Sequence, residues 1–75
     1  MKDIIINKEP VELFKILKFE GLASSGAEAK DVIAAGTVLI NGQVEKQKRK
    51  KMVAGDTIKI KGEIFRLKLS ENQAQ

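Results

Sequence analysis

Five cations within six residues, Lys46, Lys48, Arg49, Lys50 and Lys51, are the strongest chemical feature of this chain. Ammonium and guanidinium groups donate hydrogen bonds and accept none, so a crowded set of them is suited to holding several negative charges at once. The groups that would support other chemistry are missing. The sequence contains no histidine, cysteine, tryptophan or tyrosine, which removes the thiolate nucleophile, the imidazole base and the sulfur or imidazole metal ligand. Asp56 is a carboxylate, but Gly55-Asp56 between two apolar stretches reads as a turn. No nucleophile–base pair, phosphate-cradling glycine loop or metal-ligand cluster is present, so the reading is a non-enzyme without cofactor or metal.

The wider charge pattern agrees. The net charge is +4, and residues 46–61 hold seven of the fourteen basic groups against one acid. Residues 3–31 are close to balanced. One edge is therefore anion-facing, rather than the whole surface. Only three aromatic residues are present, Phe14, Phe19 and Phe65. Phe14 and Phe65 fall on core faces, which leaves Phe19 as the one ring free to be exposed. Proteins that bind single strands indiscriminately stack bases on exposed rings. The pattern here favours the backbone and shape of a folded polyanion over splayed bases.

The elements that must position this charge are legible in the local signals. With 75 residues the chain has room for one core, read as one domain over 1–69 with a polar, flexible tail at 70–75. Ile4, Ile5 and Ile6 predict a strand from Asp3 to Asn7. Pro10 suits a first helical turn, and Val11, Leu13, Phe14, Ile16 and Leu17 recur at helical spacing, predicting a helix over 10–20 that Gly21 ends. Ser25 and Glu28 form a capping box opening a second helix, with Ala29, Val32 and Ile33 as its buried face and Gly36 as its stop. Val38–Ile40, the Asn41-Gly42 turn and Gln43–Glu45 read as a hairpin. Thr57–Lys61 and Phe65–Leu69 alternate as strands around a turn at Gly62-Glu63. The fold class is α+β, a helical hairpin packed on a small, mainly antiparallel sheet. No apolar run is long enough for a membrane span or a signal peptide, and the absence of cysteine fits a cytoplasmic setting.

The stretch from Leu13 to Ile60 resembles the S-four-type RNA-binding domain, and in particular its stand-alone bacterial (YbcJ-like) subgroup. The matching residues are Leu17, Gly21, Ala23 and Ser25; Ala29, Val32, Ile33 and Gly36; Val38, Ile40, Asn41 and Gly42; and Gly55, Asp56 and Ile58. Similar modules are appended to pseudouridine synthases, bacterial tyrosyl-tRNA synthetases and a ribosome-rescue heat-shock protein. Many members carry an arginine after the serine that opens the second helix; here that position is Gly26. The resemblance implies RNA as partner, and Gly26 leaves the usual phosphate contact of the second helix to bare backbone or to other residues.

These readings converge on an RNA-binding protein that grips structured RNA (ribosomal, transfer or small RNA) through its phosphates. Lys46, Lys48, Arg49, Lys50 and Lys51 supply the charge, and Lys18, Lys30 and the turn Ser24, Ser25, Gly26 extend the surface. The ribosome or its associated factors would be a natural setting; no membrane and no small-molecule substrate is expected. The alternative is a protein-interaction adaptor whose basic edge docks on an acidic partner. DNA is a weaker variant, since charge alone does not distinguish the polymers.

Overall fold

The computed structural model describes residues 1–70. Its elements are β1 (Lys2–Ile6), β2 (Val11–Glu12), α1 (Leu13–Phe19), α2 (Gly26–Ala34), β3 (Leu39–Ile40), β4 (Gln43–Val44), β5 (Lys51–Met52), β6 (Thr57–Ile60) and β7 (Glu63–Leu69). Five strands form one sheet in the order β1-β7-β6-β3-β4, and β2 pairs with β5 in a separate two-stranded piece. All pairings are antiparallel except β1 with β7, where Ile4 lies beside Leu67. The two helices pack on this sheet, making the molecule α+β. Ile4, Ile6, Ile58, Ile60, Phe65 and Leu67 from the sheet meet Leu13, Ile16, Leu17, Ala29 and Ile33 from the helices in one buried cluster.

Local chemistry accounts for most boundaries. At the end of α1 the N–H of Leu22 donates to Leu17 O (2.9 Å) and that of Gly21 to Lys18 O (3.2 Å), the paired bonds of a Schellman cap, with Gly21 in the left-handed region at φ +73°. Ser25 opens α2 by accepting the Glu28 N–H on its hydroxyl at 3.1 Å. The Glu28 carboxylate in turn accepts from Ser24 N at 2.8 Å, one residue earlier than the usual reciprocal bond of a capping box. At the β3–β4 turn Asn41 and Gly42 both have positive φ, 52° and 86°, as a two-residue hairpin of this type requires. Asn41 does more than turn the chain. Its side chain accepts from Thr57 N (2.9 Å) and donates to the Asp56 carboxylate (3.1 Å), which also accepts from Val53 N (3.0 Å). Asp56 is a turn residue.

Two expectations need correction. The first helix begins at Leu13 rather than Pro10, because Val11 and Glu12 are extended and pair with Met52 and Lys51; Glu12 has φ −72° and ψ 138°. A long-range ladder has overridden helical spacing there. The β6–β7 turn is Lys61-Gly62, both at positive φ, and Glu63 already belongs to β7 opposite Ile60. Within the basic stretch Lys51 lies in β5. Of the expected tail, Ser70 still donates its N–H to Ile6 O at 2.8 Å; 71–75 fall outside the described residues.

Candidate nucleic-acid interface

The basic segment is held by its own backbone. After β4 the Glu45 carboxylate accepts from Gln47 N at 3.1 Å, and Lys50 N donates to Gln47 O at 3.2 Å, closing a turn. Lys51 then enters β5. The first turn of α1 has no side-chain cap; instead Leu13 N donates to Lys50 O (2.9 Å) and Phe14 N to Lys48 O (3.1 Å). Carbonyls of the basic loop thus satisfy N–H groups that any helix start leaves unpaired. The backbone of Lys48 and Lys50 is spent on α1, while their side chains join no ion pair among the described residues.

Glu12, at the junction of β2 and α1, balances part of this charge. Its carboxylate lies 3.4 Å from Lys15 Nζ, 3.4 Å from the Arg49 guanidinium and 3.7 Å from Lys51 Nζ. Loss of water around the Glu12 side chain pulls its carboxyl up, but the Lys15 hydrogen bond and the three cations outweigh this and hold it below the ordinary value. A second focus is Phe14. The ring centroid lies 4.7 Å from Lys30 Nζ, 5.2 Å from Arg49 Cζ and 6.0 Å from Lys15 Nζ. Gly26 borders the same ring, such that a Cβ there would sit 3.9 Å from two ring carbons.

Phe14 and Glu12 therefore bring α1, the start of α2 and the basic loop into one surface. Among the expected residues, Gly26, Lys30 and Arg49 meet around the ring, Lys48 and Lys50 share the adjoining loop, and Lys51 follows in β5. Lys46 goes elsewhere. Its Cε would be 3.2 Å from a Cβ on Gly36, at the far end of α2, where Gly36 combines a left-handed φ of +80° with room for the lysine stem. Lys18 is exposed in the last turn of α1, and no ion pair joins it to the rest among the described residues. Ser24 and Ser25 are engaged in the α2 cap. The Ser24 N–H and hydroxyl hold the Glu28 carboxyl below its ordinary value, with Lys61 adding to the effect.

Sequence reasoning missed Glu12, Phe14, Lys15 and Lys61. Lys61 Nζ donates to Leu22 O at 2.9 Å, beside the turn that opens α2. Spacing alone places Phe14 on the core face, yet the ring is only half-buried. The Glu12–Lys15 pair at i,i+3 was a readable signal; Lys61, on a remote turn, offered none. Among the described residues no group of three or more His, Cys, Asp or Glu is placed to hold a metal ion, and no helix is long and apolar enough to cross a membrane.

Comparison with known proteins matches residues 4–68 to the S4 domain. The chain belongs to the S4 domain family. Within that family it is 48% identical over 63 residues to YbcJ of Escherichia coli (strain K12), a protein whose name assigns RNA binding provisionally; the match covers 83% of this chain and 90% of that one. The Shigella flexneri YbcJ gives the same figures. The solution structure of E. coli YbcJ superposes with a TM-score of 0.67 at 44% identity, covering 89% of this chain and 86% of the other, and is described as revealing a motif involved in RNA-binding. The S4 match embraces both helices, the β3–β4 hairpin and the basic loop, so the surface around Phe14 lies wholly inside the domain.

Proposed function

We propose that this chain is a non-enzymatic RNA-binding protein that grips folded RNA by its phosphates, using the surface shared by α1, the start of α2 and the basic segment 48–51. Membership of the S4 family and the RNA-binding descriptions of its YbcJ relatives support RNA as partner. The observation that carries the finer reading is the anchoring of the basic loop: Lys48 O and Lys50 O accept from the first turn of α1, and Lys51 is paired in β5. Charges on a tethered loop keep fixed relative positions, and a fixed array discriminates between arrangements of phosphates where a floppy tail would not. Ribosomal, transfer and small RNAs all offer such arrangements, and a cytoplasmic, ribosome-linked role is consistent with them.

The test compares a labelled RNA hairpin with an unpaired strand of equal length by fluorescence anisotropy. Tighter binding of the hairpin is expected, and equal affinity would remove the shape component. A pull-down from lysate with and without ribonuclease adds the other control. Protein partners that persist after ribonuclease would favour an adaptor docking on an acidic protein.

A further inference from the structure

We propose that Phe14 is the positioning residue of the RNA contact: its ring locks Lys30 of α2 and Arg49 of the basic loop into a single phosphate clamp. The inference rests on the RNA-binding reading above and assigns a specific pair of cations within that surface.

Phe14 follows the buried Leu13 at the start of α1, but the apolar stripe of that helix is already supplied by Leu13, Ile16 and Leu17, all essentially inaccessible. The half-buried ring is left with surface to offer, and that surface carries cations. Lys30 Nζ at 4.7 Å and Arg49 Cζ at 5.2 Å from the centroid are both within cation–π range. Placed end to end, those distances keep the two charges no more than about 10 Å apart. Like charges this close repel. The negative face of the ring offsets part of that repulsion, and the Glu12 carboxylate beside Arg49 offsets another part.

Lysine and arginine side chains are long and have many rotamers, and ordering them during binding costs affinity. A ring that holds them beforehand lowers that cost. The ring also links segments that nothing else in the charge pattern connects: Lys30 and Arg49 belong to different elements and make no hydrogen bond to each other. Gly26 lets the start of α2 lie beside the ring, where a Cβ would meet two ring carbons at an ordinary 3.9 Å. With three cations and the start of α2 already beside it, the ring serves to present charge rather than to stack a base.

The test uses Phe14→Leu, which keeps apolar bulk but removes the ring, and Phe14→Tyr, which keeps the ring. In the unmodified chain and in Phe14→Tyr, ring currents should shift the Lys30 Cε and Arg49 Cδ protons upfield in NMR spectra. Phe14→Leu should abolish those shifts while leaving the amide spectrum folded. Against the RNA hairpin, Phe14→Leu should bind about 5-fold more weakly, the size of one exposed cation–π contact expressed as affinity. Its salt slope should be shallower by roughly one phosphate. Phe14→Tyr should restore both, and in a Lys30→Ala, Arg49→Ala background the leucine should have no additional effect. Should Phe14→Leu fail to fold, Phe14→Met carries the same comparison. RNA binding by the unmodified chain together with an unchanged affinity and slope in Phe14→Leu overturns the clamp alone. Absence of RNA binding by the unmodified chain overturns the proposed function and the clamp with it.

Discussion

The five clustered cations are not equivalent, and replacing Lys48 and Lys50 together tests the difference. Their backbone carbonyls hold α1, a role that alanine preserves, while their ammonium groups are unpaired among the described residues. Arg49 and Lys51 share Glu12, and Lys46 lies against Gly36. If the surface neutralises four or five phosphates, log affinity should fall with log salt with a slope of about −3 to −4. Between 50 and 200 mM salt that is a loss of about 60- to 250-fold. Removing two contacts should bring the slope to about −1.5 to −2.5, so the same salt step should cost only about 8- to 30-fold. The assay is anisotropy of a labelled RNA hairpin across that salt range, with circular dichroism to check the fold. Lys46→Ala should leave the slope nearly unchanged. An unaltered slope in the folded double variant, or a Lys46→Ala effect as large as that of Lys48→Ala, would refute the assignment.

Ser25→Ala removes the hydroxyl that accepts the Glu28 N–H; a lost cap of this kind costs ~1 kcal/mol, which in a domain of this size should lower Tm by about 4–8 °C, and coincident melts would contradict it. The Glu28 carboxyl is held below its ordinary 4.5 by Ser24, so its stabilisation is present above that pH and is lost as pH falls through the lower folded-state value; Glu28→Gln should flatten the acid limb of a Tm–pH profile relative to the unmodified chain. Gly26→Arg introduces a guanidinium where a Cβ meets the Phe14 ring at an ordinary 3.9 Å; the fold should persist and RNA affinity at low salt should rise, with the gain shrinking as salt increases, whereas equal low-salt affinities would place the start of α2 outside the interface.

Signals that act over a few residues were legible in the sequence, and they brought most of the architecture with them. Ser25 and Glu28 capped α2, Gly21 and Gly36 ended the helices, Asn41-Gly42 made its hairpin, and the alternation in β6 and β7 buried Ile58, Ile60, Phe65 and Leu67. The concentration of cations in 46–51 was equally plain. Each of these depends on backbone geometry or periodicity within one element, which a local pattern encodes. Tertiary closure decided the rest. Lys2–Ile6 lies parallel to Phe65–Leu69, a pairing of the two chain ends that no short-range pattern specifies. Lys51 and Met52 captured Glu12 and Val11, which shortened α1, turned the loop carbonyls into its cap and placed the Glu12 carboxylate among three cations. That same docking separated Lys46 from its sequence neighbours and brought Arg49 to the ring of Phe14 beside Lys30. Charge is a property of composition, but the spacing of charges across a surface is set by which distant backbones pair, and only the folded chain contains that information.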